Sequence, residues 1–167
     1  MKALEPPDSL HLRAAQGWLE LGNHLEASVE LERISSSLIL HPEVLLLRYE
    51  VYAEAKLWEA AYLVAQALVE VAPNAPIGWI NQSFALRKMG PKHVKAAWDA
   101  LIPAADKFPK NPIIPYNLAC YACQMNKLRD ARTWLVLAIS LGDSDDFKRM
   151  ALTEPDLEPL WVAIREI

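Results

Sequence analysis

The chain has 167 residues, 53% of them hydrophobic, with 17 Lys or Arg against 21 Asp or Glu for a net charge of −4. That length and apolar fraction predict one packed domain, 1–167, and exclude a disordered chain. The acidic balance excludes a binder that works by neutralising nucleic-acid phosphates, and the apolar runs at 37–40 and 44–47 are too short to span a bilayer.

Residues 1–7 read as a proline-containing lead without the basic-then-apolar build of a signal peptide, so a cytoplasmic protein is expected. Asp8 or Ser9 is placed to cap a first helix carrying Leu12, Ala15, Trp18 and Leu19 at helical spacing. Gly22 and Asn23 end it. A second helix is expected from about Leu25 to Leu38 with Ala27, Leu31 and Ile34 inward, its last turn weakened by Ser35, Ser36 and Ser37. Pro42 opens the next pair, a favoured first helical position. Leu45, Leu46, Val51 and Tyr52 lead to a turn near Lys56, and Trp58, Ala61, Ala65 and Leu68 form the partner helix, stopped by Pro73 and Asn74.

Pro76 opens a third pair with Trp79, Ile80, Leu86 and Met89 inward, and Gly90-Pro91 breaks it. Val94, Ala97, Trp98 and Leu101 mark the following helix, where Pro103 should force a kink or an early end. Pro112 opens a fourth pair, with Tyr116, Leu118, Ala119 and Ala122 on one helix and Leu128, Ala131, Leu135 and Ala138 on the other. The turn between them is Met125, Asn126 and Lys127. From Asp143 a short helix runs to about Leu152, and Leu157, Leu160, Trp161 and Ile164 then supply a terminal cover. Only five glycines occur and no Asn-Gly or Asp-Gly pair, so no hairpin and no sheet is expected.

One interval runs through these elements. Ala27, Ala61, Ala97 and Ala131 follow one another at 34, 36 and 34 residues, each with Leu31, Ala65, Leu101 or Leu135 four positions on. Helices joined by so short a turn cross closely, and a small residue at the crossing lets them. With Trp79, Tyr52, Leu118-Ala119 and the punctuating prolines, the pattern resembles the tetratricopeptide repeat family. Arg48-Tyr49 and Gln82-Ser83 depart from it where that family has Leu-Gly.

The resemblance implies an all-α fold, a right-handed α-α superhelix of about four repeats at 8–41, 42–75, 76–111 and 112–142, with 143–167 covering the exposed end. It also implies a concave groove lined by the first helix of each pair. Carried onto this chain, the peptide-binding positions are Ile80, Asn81, Phe84, Arg87, Lys88, Tyr116, Asn117 and Cys120, with Cys123 beside them. Leu12, Gln16, Glu20, Leu46, Glu50 and Glu54 are the corresponding positions of the first two repeats, an acidic half. Asn81 and Asn117 stand one repeat apart, where the family uses an amide to hold a peptide backbone, one donor and one acceptor together. The family's clamp for chaperone tails needs Lys and Asn where Leu12, Gln16, Leu46 and Glu50 stand, which disfavours that ligand.

No catalytic set emerges, and no cofactor or metal is expected. Cys120 and Cys123 match Cys-x-x-Cys, but a zinc site needs further ligands and the histidines at 11, 24, 41 and 93 are isolated. A redox pair belongs at a helix N-terminus, whereas these cysteines fall mid-helix. The expected activity is therefore capture of a protein or peptide, as adaptor or scaffold, with Phe84 and Tyr116 as apolar anchors. The alternatives are a structural module that pairs with a second copy, or a small dedicated chaperone resembling secretion chaperones.

Overall fold

Why the alanines keep their interval is visible in the turns. In a computed structural model that describes residues 4–165, the chain is helical throughout, with no strand among the described residues. The first three residues of the expected lead and the last two of the expected cover lie outside the described residues. The helices are α1 (Asp8–Glu20), α2 (His24–Glu32), α3 (Pro42–Glu54), α4 (Trp58–Val71), α5 (Pro76–Lys88), α6 (Val94–Lys107), α7 (Ile113–Gln124), α8 (Leu128–Leu141), α9 (Ser144–Thr153) and α10 (Trp161–Arg165). Short 3-10 helices lie at Ser36–Leu38, Pro91–His93 and Pro155–Leu160.

The α1–α2, α3–α4 and α7–α8 turns share one design. Gly22, Lys56 and Asn126 adopt φ of 75°, 56° and 57°. The next amides, of Asn23, Leu57 and Lys127, donate to the carbonyls of Trp18, Tyr52 and Ala122 at 2.9, 2.8 and 2.8 Å. Those of Gly22, Lys56 and Asn126 donate to Leu19, Ala53 and Cys123 at 2.9, 3.0 and 2.8 Å. This is the Schellman end, which satisfies carbonyls a helix leaves unpaired. The residue that finishes each end also begins the following helix. The carbonyls of Asn23, Leu57 and Lys127 accept from the amides of Ala27, Ala61 and Ala131 at 3.1, 2.9 and 2.9 Å. Turn chemistry thus fixes each alanine relative to the left-handed residue. In the third pair Gly90 takes φ 115° and ψ 174°, a conformation essentially reserved for glycine, and the Pro91–His93 turn holds the two extra residues.

The chain divides into two compact units, Met1–Ala85 and Leu86–Ile167, the boundary falling within α5. In the first, Ala15, Ala27, Leu31, Ile34, Val44, Leu47 and Val51 form one buried cluster, and Tyr49, Ala61, Ala65 and Ala85 form another. Close crossing shows again at Gly78, where a Cβ would come within 3.1 Å of the Val69 amide nitrogen. In the second unit Ala97, Ala104, Leu118, Ala119, Ala131 and Leu135 are buried, and Trp98 meets Trp134 edge-on at 6.2 Å. All four interval alanines are fully buried, at 0% exposure.

The departures from the repeat pattern are absorbed locally. The Arg48 guanidinium donates to Glu32 Oε1 at 2.6 Å and to the Leu31 carbonyl at 3.4 Å. Tyr49 is buried, and burial, then Glu50, pushes its hydroxyl pKa to about 12. Ser83, wholly buried, donates its hydroxyl to the Ile80 carbonyl at 2.9 Å.

Three sequence expectations need correction. Asp8 does not cap α1; its buried carboxylate accepts from the Ser35 amide at 2.6 Å and the Ser35 hydroxyl at 3.0 Å, tying the start of α1 to the end of α2. That tie stops α2 at Glu32, short of Leu38, because Ser35 is held in an extended conformation. Pro103 neither ends nor truncates α6, which continues to Lys107. Pro103 is exposed, so the Asp99 carbonyl it leaves without a donor lies on the water side, while Leu101 and Ala104 stay buried and keep the helix in place. Among the described residues no helix is long and apolar enough to cross a membrane.

Candidate functional site

The first helix of each pair carries the candidate positions, and the two units use them differently. In the second unit, residues 144–165 pack over α7. Phe147 of α9 meets Tyr116 edge-on, 5.8 Å between ring centres. Leu157 is fully buried, with Leu160 and Ile164 nearly so. Arg87 bonds to Asp156 and, at 3.3 Å, to Glu154. Burial alone would lower the Arg87 pKa, but the hydrogen bond and charge of Asp156, with Glu154, raise it. Cys120 lies under the same segment, its thiol pushed well up by burial and then by Glu154 and Asp156. Tyr116 is shifted the same way, by burial first. Burial, then Asp156, takes Cys123 to about 11. Both cysteines are free and buried, and such thiols neither attack nor exchange readily. Lys88 is exposed and Asn117 half-buried. No hydrogen bond engages the Asn117 side chain among the described residues.

In the first unit the corresponding face is open. α1 and α3 lie side by side, and between them is a cleft of about 220 Å³ lined by Leu12, Gln16, Glu43, Leu46, Leu47 and Glu50. Four of these, Leu12, Gln16, Leu46 and Glu50, are groove positions carried over from the repeat pattern. The floor is leucine and the rim carboxylate and amide. On α5, Ile80 is half-buried and Phe84 sits edge-on to Trp58 at 6.1 Å. Asn81 is only 8% exposed, and no hydrogen bond engages its side chain among the described residues. No fully buried side-chain polar atom among them lacks a partner, so the Asn81 amide still reaches water. An amide so placed has a donor and an acceptor to offer.

Neither a protein-family model nor a curated protein sequence matches this chain. Solved structures do. MamA 41-end from Desulfovibrio magneticus RS-1 superposes with a TM-score of 0.74 at 18% identity, covering 98% of this chain and 96% of that one. The MamA RS-1 ArsTM double mutant gives 0.73 at 15% identity, covering 86% and 79%. The likeness is one of fold: an all-α helical repeat of the tetratricopeptide-like kind.

Sequence reasoning missed Glu43 as a cleft residue and the engagement of Arg87 by Glu154 and Asp156. Glu43 is the second residue of the 42–75 repeat, itself a groove-facing position of the pattern, so the repeat spacing could have found it. It enters the cleft because Pro42 starts α3 and leaves the second residue of the helix at its mouth. Among the described residues no three His, Cys, Asp or Glu side chains gather in a metal-ligating arrangement.

Proposed function

We propose that this chain is a protein-binding module, and that the face of its first unit, the α1–α3 cleft with the Asn81 amide on α5, is the surface that receives the partner. The observation that carries this is the coincidence of an open, leucine-floored cleft with the positions that line the groove in tetratricopeptide repeats. In the second unit the same positions hold residues 144–165, with Arg87, Tyr116 and Cys120 engaged by that segment. Ile80, Asn81 and Phe84 belong to the open face, and Lys88 and Asn117 are the second unit's remaining candidates.

Affinity capture from native cell extract tests the reading. The full chain should retain a partner that Leu12→Arg with Leu46→Arg loses, and Asn81→Ala should weaken it, with the circular-dichroism spectrum unchanged in each. An unchanged partner set on the folded double variant would place binding elsewhere.

A further inference from the structure

We infer that the α1–α3 cleft takes a lysine or arginine side chain from an extended segment of a partner protein, with an aliphatic neighbour of that side chain resting on the Leu12 and Leu46 floor. The inference rests on the reading of this face as the binding surface and adds the chemistry of what binds.

The cleft holds Glu43 and Glu50 and no cation among its lining residues. Neither carboxylate has a hydrogen-bond or ion-pair partner among the described residues. The neighbouring α2 is different: Glu30 meets His11 and Arg33 at 2.8 Å each, and Glu32 meets Arg48 at 2.6 Å. Glu30 and Glu32 on α2 are thus answered by cations, whereas Glu43 and Glu50 in the cleft are not. Gln16 spends its amide N–H on Glu20 at 3.2 Å, so its carbonyl oxygen is left as one more acceptor. Glu54 adds negative charge farther along α3. Burial raises the Glu50 pKa.

The second unit shows what such a face does with a segment of opposite charge. There the charge is Arg87, and the short 3-10 stretch Pro155–Leu160 answers it with Asp156, helped by Glu154, while Leu157 fills the apolar ground. With the signs exchanged, the first unit calls for a basic residue beside an aliphatic one. Long Lys and Arg stems also lie well along leucine while their charged heads reach carboxylates.

Selection of random dodecapeptides on the full chain tests this. Binders are sorted by loss on Leu46→Arg, then measured as synthetic peptides by fluorescence anisotropy against wild type and against Glu43→Gln with Glu50→Gln. Both glutamates are exposed, so the glutamine variant keeps the fold. Cleft-dependent peptides should carry Lys or Arg, lose about tenfold in affinity on the glutamine variant, and weaken as salt rises. Cleft-dependent peptides that are neutral or acidic, or that bind the glutamine variant equally, overturn the charge assignment and leave the surface reading standing. If no binder depends on Leu46, both readings fall. Dimerisation in sedimentation that Leu46→Arg abolishes would give the face to a second copy and likewise overturn the proposal.

Discussion

Replacing Gly142 with alanine isolates one contact on which the 144–165 segment depends. Gly142 ends α8 with φ −106° and ψ −167°, a backbone that alanine adopts without strain. The Phe147 ring lies directly against it, and an added Cβ would press into the ring edge, 3.2 Å from Cζ and nearer still to Cε2 and Cδ2. The ring must swing away. Overpacking of this kind costs roughly 1–3 kcal/mol, and loss of the edge-on contact with Tyr116 adds about 0.5–1.5 kcal/mol. A total near 3 kcal/mol should lower the midpoint of thermal unfolding by roughly 6–12 °C in a chain of this size. Urea unfolding of wild type, Gly142→Ala, Phe147→Ala and the double variant, followed by circular dichroism, closes the cycle. With the ring gone, Gly142→Ala should be neutral or stabilise by about 0.4–1 kcal/mol, since it then acts only through the unfolded chain. If Gly142→Ala costs as much in the Phe147→Ala background as in wild type, the ring contact is not the cause.

Arg87→Ala leaves Glu154 and Asp156 without their cation and should destabilise by about 2–3 kcal/mol, below the full buried-pair value because both acids keep some water. Hydrogen exchange should show residues 155–160 loosening first. Asp8→Asn weakens the bonds to the Ser35 amide and hydroxyl and should cost about 1–2 kcal/mol by urea titration. The Cys123 thiol ionises near 9 when unfolded and at about 11 when folded, so its contribution is complete below pH 9 and is lost as pH rises through 11. Cys123→Ser should flatten that part of a stability-against-pH curve, and a thiol reagent at pH 8 should label the native chain far more slowly than the urea-unfolded one.

The repeats were legible because their signals are local. The alanine interval, the prolines at 42 and 76 and the turn residues Gly22 and Asn126 each act within a few positions of themselves, so spacing alone exposes them. What escaped was long-range. The bond between Arg87 and Asp156 joins residues 69 apart, and no window of sequence distinguishes that arginine from one facing water. Asp8 reads as a cap by every local rule, yet its carboxylate serves a backbone 27 residues away. Pro103 is opposite in kind: the local rule is sound, but exposure on one side and buried Leu101 and Ala104 on the other outweigh it. Of the candidate site, the helix faces could be named in advance. Which face stands open and which is covered by residues 144–165 depends on contacts between residues far apart in the chain.

Because Asn23, Leu57 and Lys127 each close one helix and launch the next, those three corners have no spare length. One inserted residue there would rotate the downstream helix by about 100°, swinging its alanine out of the crossing and a polar side chain in. The corner at Pro91–His93 lacks that double duty and already carries surplus residues on an exposed turn. A peptide tag or reporter loop spliced in after Lys92 should therefore be tolerated, whereas the same graft after Asn126 should leave the chain unable to fold.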